Sequence, residues 1–260
     1  RTSTRRSNCT SYIVMLGIGS GLACSPTSFV LSAPLYSITL DGDGDDDLMT
    51  FSSTAFDIDG ADYTFSFWAK LDDLDGPMTV LGGASHFKQN ISIDLNTGNL
   101  ILESDTNADT QQTGSDKIDK DTNWHHYAIT VNGGVADGTI IYNDGSKSTL
   151  GATSPIGGSY GDNMTVARLG GGGTDADTKF VGHIYQFAIF DKVLSALEIS
   201  TIGGGSPISL EENYGSYVST DNLIHLWNFD EGTGSSVADS AGSLTGTLTD
   251  DTAFSTDIPS

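Results

Sequence analysis

The chain has almost no cysteine: Cys9 and Cys24 are the only two in 260 residues. They allow one bridge closing a small N-terminal loop, or two free thiols, and neither arrangement could staple the body of the protein. Cations are nearly as scarce. Eleven Lys and Arg stand against 34 Asp and Glu, a net charge of −23 with a pI near 4.1. Such a field repels phosphate backbones and argues against a nucleic-acid partner. Glutamate is rare within that acid, with only Glu103, Glu198, Glu211, Glu212 and Glu231. The rest is aspartate, which favours turns where glutamate favours helices. With 32 glycines and abundant Ser and Thr, this balance predicts many short strands joined by tight turns. The apolar run Tyr12 to Ala23 is too short to span a bilayer. No period of about 20–50 residues repeats, which argues against a solenoid or propeller.

Residues 1–40 contain Arg1, Arg5 and Arg6 and no acid, so residues 41–260 carry 8 − 34 = −26. The basic start, the apolar run and Cys24 resemble a secretory signal, and Gly21-Leu22-Ala23-Cys24 approaches a bacterial lipoprotein cleavage box with an atypical leading Gly. Residues 1–27 read equally as such a leader or as an apolar N-terminal arm. Three Asn-X-Ser/Thr triplets, beginning at Asn8, Asn90 and Asn163, are expected by chance in so Ser/Thr-rich a chain.

From Phe29 onward the apolar pattern has period two, the mark of antiparallel strands with one buried face. Tyr36 to Leu40 alternates and stops at the Asp/Gly run 41–47; Tyr63 to Ala69 alternates again, with Tyr63, Phe65 and Phe67 on one face. Further strands are predicted at Met78–Leu81, Gln89–Leu95, Leu100–Glu103, His125–Val131, Thr139–Asn143, Met164–Leu169, Phe180–Phe190 and Leu223–Phe229. Ten to fourteen strands are too many for one open sheet, so two packed sheets are required. One segment breaks the period: Val193 to Ser200 has helical spacing, with Ser195 as its N-cap and Gly203-Gly204-Gly205 as its stop. Residues 206–219 are linker-like, and the tail beyond Phe229 is rich in Gly, Ser and Thr.

Several of these segments fall into a known order. Asp43-Gly44-Asp45-Asp46-Asp47-Leu48-Met49, Tyr63 to Lys70, Trp124-His125-His126-Tyr127-Ala128-Ile129-Thr130, Ile140 to Gly145, and Phe180 to Phe190 followed by Leu194 to Ile199 resemble the LamG-like, concanavalin A-like jelly rolls. That family includes laminin G modules, pentraxins and legume-lectin relatives, and the likeness runs from about Tyr36 to Ile202. Leu226 to Gly234 with Asp239-Ser240-Ala241-Gly242 also resembles the family, but in many members this piece precedes the early Asp/Gly turn. That order resembles LamG-like proteins carried in the virions of marine phages. The resemblance implies an all-β fold: a two-sheet antiparallel jelly-roll sandwich with one short helix near 194–202. The organisation expected is an arm or leader over 1–27, the jelly roll over 28–205, and a segment 206–260 docked on the same sandwich or on a neighbour.

The acidic turn offers the strongest chemistry. Asp43, Asp45, Asp46 and Asp47 place hard oxygens on a flexible backbone, which suits Ca²⁺. Counted from Asp41 it is no EF-hand, since position six is Asp46 and position twelve Ser52. Some relatives complete such a site with an Ile-Asp-Glu sequence in the closing strand, where this chain has Ile184-Tyr185-Gln186. Asp175 and Asp177 in the glycine-rich loop 170–177 are the candidate ligand-binding residues. Trp68, Trp124 and Trp227 could stack on sugars, but Trp68 and Trp124 lie in alternating strands, and burial is expected for both. His125 and His126 are adjacent, so in a strand they face opposite sides and cannot chelate together. His86, His183 and His225 show no zinc spacing either.

Catalytic signatures are missing. Glu103-Ser104-Asp105 approaches the Glu-X-Asp-X-X-Glu strand of laminarinase-type relatives but has no second Glu. There is no Gly-X-Ser-X-Gly elbow, and Gly170 to Gly173 lacks the Lys-Ser/Thr of a phosphate loop. The expectation is a non-catalytic protein, extracellular or on a cell or virion surface. It would act by adhesion and assembly with other copies or neighbouring structural proteins, or alternatively as a secreted Ca²⁺-dependent module for glycans.

Overall fold

The computed structural model describes residues 33–42, 47–51, 62–83, 90–103, 110–112, 118–132, 138–148, 167–171 and 179–260. It is an antiparallel sandwich of two sheets with one short helix, the architecture expected. The first sheet runs in the order β10 (Ser146–Lys147), β9 (Thr139–Asn143), β8 (Trp124–Val131), β3 (Tyr63–Leu71), β12 (Gly182–Phe190), β1 (Ser37–Leu40) and β16 (Ala253–Ser255), with β13 (Leu223–Trp227) also paired to β12. The second runs β14 (Ser236–Val237), β15 (Gly246–Leu248), β2 (Met49–Phe51), β11 (Ala167–Leu169), β4 (Pro77–Gly83), β5 (Asn90–Asp94), β6 (Asn99–Glu103) and β7 (Thr110–Gln112).

Alternation decides which residues meet between the sheets. Tyr63, Phe65, Phe67, Ala69 and Leu71 of β3 join Tyr127, Ile129 and Val131 of β8 and face Met49, Phe51, Val80, Ile91, Ile93, Leu100 and Leu169 of the second sheet. Trp227 bridges the layers, its ring 4.6 Å from Phe51 and 6.0 Å from Phe187. β12 departs from strict alternation at one point. Gln186 has φ +51, and the β3 register slips between Tyr185 and Ala188, so this bulge moves the inward residues from Ile184 to Phe187. The Gln186 amide donates to the Ile208 carbonyl at 2.9 Å. The Gln186 side chain therefore pins the linker to the bulge of β12.

The outer side of the first sheet is covered by α1 (Ala196–Gly203) and the linker. Ile199 and Ile202 of the helix pack with Leu210 and Tyr217 on Ala128, Tyr142, Ala188, Phe190 and Leu226. A full capping box starts α1: Ser195 Oγ accepts from the Glu198 N–H and the Glu198 carboxylate accepts from the Ser195 N–H at 2.9 Å. Desolvation opposes charge on the buried Glu198, but hydrogen bonds from Ser219 and Ser195 hold its carboxyl below the usual range.

Segment 206–260 contributes strands to both sheets. β13 takes the half of the β12 edge that the shorter β1 leaves open, β16 pairs with β1, and β15 pairs with β2. The Asp239-Ser240-Ala241-Gly242 piece is organised by one carboxylate. Asp239 accepts the Leu226 N–H at 2.9 Å, Gly242 N–H at 2.8 Å, Leu244 N–H at 3.0 Å and His225 Nδ1 at 2.6 Å. Among the described residues no helix is long and apolar enough to cross a membrane.

Candidate functional site

Leu40, Gly182, Leu71, Trp124 and Asn143 stand at one end of the first sheet: Leu40 is level with Gly182, Gly182 with Leu71, Lys70 with Trp124, and Tyr127 with Asn143. The turns leaving that end carry Asp41, Asp72, Asp73, Asp75, Asp119, Asp121 and Asp144. The second sheet adds Asp94 and the turn bearing Asp250 and Asp251, and Asp47 sits beside β2. Aspartates remote in sequence are thus gathered on one rim because antiparallel pairing brings their turns together.

At its centre Asp47 is 1% exposed, and its Oδ1 accepts the Asp251 N–H at 3.3 Å. The Thr249 N–H and hydroxyl both donate to the Leu48 carbonyl, at 2.9 and 3.1 Å. Gly170 makes this approach possible: at φ +94, a Cβ would stand 2.3 Å from Leu40 Cδ2 and 3.3 Å from the Asp47 carbonyl. Gly42 also lies close to Val181, whose Cγ2 would stand 2.6 Å from a Cβ at that position. The described ends of the two acidic loops predicted from sequence therefore adjoin. Asp47 is the one predicted site residue placed here; Asp43, Asp45, Asp46, Asp175 and Asp177 lie outside the described residues, as do Ser104 and Asp105 and the whole of 1–27.

A second group on the rim escaped sequence reading. Ligand atoms of Asp119, His125 and Asp144 lie within 4.8 Å of one another. His125 Nδ1 is 2.8 Å from Asp144 Oδ2 and Nε2 is 3.1 Å from Asp121 Oδ1. The Asp144 hydrogen bond raises the imidazole pKa to about 9 against the pull of desolvation, with Asp121 adding to it. Both ring nitrogens are thus held as donors to carboxylates, and a metal would have to displace that proton. Asp144 also accepts the His126 N–H at 2.9 Å, so the group ties the β9–β10 hairpin to the start of β8. The signal was the Trp-His-His strand followed by Asp-Gly, separated by 18 residues and joined only by pairing. His126 points the other way, as expected: it is buried, desolvation lowers its pKa to about 4, and its Nε2 lies 2.9 Å from Ser66 Oγ.

Trp68 is buried at 5% exposure, against His126 on the outer side of the first sheet. Trp124 departs from expectation: it is only part-buried and belongs to neither apolar cluster. It starts β8 at the rim and by alternation shares the outer face of the first sheet with His126 and Ala128, its ring tilted against His183 and edge-on to Tyr185 at 6.0 and 6.2 Å. Its Nε1 donates to Asp257 Oδ1 at 2.9 Å, and Asp257 also pairs with Lys70, so the C-terminal strap clasps this patch.

The sequence pattern of the Concanavalin A-like lectin/glucanases superfamily matches residues 43–200. Among solved structures, a candidate carbohydrate-binding protein from Bacteroides ovatus aligns with TM-score 0.60 and 14% identity, over 87% of this chain and 61% of that one. This chain therefore spans less than two thirds of that protein's length. A heptameric SAP-like pentraxin from Limulus polyphemus aligns with TM-score 0.54 and 15% identity, over 82% of this chain and 95% of that one. A search of curated proteins returns no match.

Proposed function

This chain belongs to the Concanavalin A-like lectin/glucanases superfamily, and on that premise we propose that it is a non-catalytic, lectin-like module acting outside the cytoplasm, on a cell or virion surface or in the medium. It recognises surfaces and assembles with other copies or neighbouring structural proteins. The observation that carries this reading is the convergence of the acidic turns on one end of the sandwich, a recognition surface built from loops on a rigid frame. The ligand is a glycan, the class suggested by the description of the Bacteroides ovatus relative. Carboxylates of a glycosidase must include one with a raised pKa. Here hydrogen bonds from Thr97 and Asn96 to Asp94, from Asn123 and His125 to Asp121, and from His125 and His126 to Asp144 overcome desolvation and hold all three low. These are turn-capping anions, which supports recognition over catalysis.

The rim also supports the Ca²⁺-dependent form of this reading. Its donors are hard oxygens, and Asp47 is a buried carboxylate among them; with Asp43, Asp45 and Asp46 it is proposed to hold Ca²⁺, while Asp175 and Asp177 contact the glycan. Assembly is supported by exposed apolar residues on the helix side, Leu197 at 64%, Tyr214 at 53% and Val218 at 61%. Light scattering of the full chain, with and without a chelator, combined with a glycan array, tests both. Glycan binding lost on chelation establishes the Ca²⁺-dependent lectin. A multimer that survives chelation and binds glycan regardless establishes the assembly reading, and a monomer that binds nothing on the array overturns both.

A further inference from the structure

Beyond Arg6 the sequence has a single arginine, Arg168. It sits in β11, whose next residue, Leu169, is fully buried in the core, so alternation turns Arg168 to the outer face of the second sheet. Its neighbours there follow from register. Arg168 is level with Thr50, Thr50 with Thr247, and on the other side Arg168 with Gly82. Thr50 stands between the core residues Met49 and Phe51 and so faces outward, and Thr247 is exposed. Four adjacent strands thus place hydroxyl, hydroxyl and guanidinium in one row that ends at the buried Gly82, roughly 14 Å across at the usual strand spacing.

The guanidinium has no partner among the described residues, in a chain with three acids for every cation. Its Nε is buried without a hydrogen bond. Arginine is always charged, and a cation with a desolvated, unbonded N–H loses stability unless something completes it. The fork geometry suits a carboxylate bound through two parallel N–H···O bonds, and the flanking Thr50 and Thr247 hydroxyls suit those of a pyranose ring. We propose that the outer face of the second sheet binds a uronic-acid residue of a glycan, its carboxylate on Arg168 and its hydroxyls on Thr50 and Thr247. This assignment rests on the carbohydrate-recognition reading above and is spatially separate from the rim carboxylates, which repel such a sugar. At 0.15 M salt the Debye length of about 8 Å confines that repulsion to the rim.

The test is an array of neutral, uronate-bearing and sulfated oligosaccharides, followed by titration of the full chain with trigalacturonate and with maltotriose. Wild type is expected to bind trigalacturonate at least ten-fold more tightly than maltotriose. Arg168→Gln should abolish that preference, Arg168→Lys should retain part of it, and Thr50→Val should weaken it, with unchanged thermal midpoints showing that the fold is intact. Undiminished trigalacturonate binding by Arg168→Gln overturns the assignment and leaves the glycan reading standing. Preference for sulfated over uronate spots overturns the carboxylate assignment, and no binding to any spot by wild type overturns both readings.

Discussion

Between pH 6 and pH 9.5 the wild-type protein should lose about 1–2 kcal/mol of stability that a His125→Asn variant does not lose. The folded pKa of His125 is about 9, set first by its Asp144 hydrogen bond, against about 6.5 unfolded. A base whose pKa is raised on folding contributes fully below its unfolded value and loses that contribution as pH rises through the folded one. The window is therefore about pH 6.5 to 9. The shift of about 2.5 units sets a ceiling near 3.4 kcal/mol at 1.36 kcal/mol per unit. Asp121 and Asp144 are 42% and 45% exposed, so water screens the pair and the ceiling falls to about 1–2 kcal/mol. Urea denaturation followed by circular dichroism at half-unit pH steps gives the difference between wild type and variant, in which other titrations cancel. A gap that is constant from pH 6 to 9.5 refutes the imidazolium clamp. His126 has the opposite sign: buried and neutral, with its pKa lowered to about 4, it costs stability as pH falls from 6.5 towards 4.

Asp239→Asn should cost on the order of 2–4 kcal/mol, because an amide cannot accept the three backbone N–H groups and His225 together; urea midpoints at pH 7 measure it, and a change under about 0.5 kcal/mol defeats the argument. Gly182→Ala should fail to accumulate as folded protein, since φ is +145 and a Cβ would stand 2.1 Å from the Lys70 carbonyl; soluble yield and thermal melting decide this. Ser195→Ala removes half of the capping box and should cost about 1 kcal/mol, and a melting midpoint equal to wild type would refute that estimate.

The long strands were legible because nine residues of β3 and eight of β8 offer enough alternation to read. The helix was legible from Ser195 and the glycine stop. β14, β15 and β16, of two or three residues each, are too short to show a period, and the pairing of β15 with β2 and of β16 with β1 is decided by partners some 200 residues away. Trp124 was misjudged because alternation tells which residues share a face but not which face is the core: it lies on the outer face of the first sheet with His126 and Ala128, in neither apolar cluster. The acidic turn 41–47 was visible as composition. That Asp144, Asp121 and Asp251 share its end of the molecule depends on strand direction and register, which no local pattern contains, and Arg168 gains its meaning only from the row of strands around it.

The pairing of β1 with β16 and of β2 with β15 sets an order on the making of this protein. A ribosome delivers the first strands of both sheets long before the strands that flank them, and half of the β12 edge waits for β13. The nascent sandwich therefore exposes ladder groups on both layers until the final segment emerges. Such edges are where chains join one another wrongly. Synthesis speed through residues 206–260, and any chaperone that shields the two waiting edges, should govern yield more than the strength of the finished core.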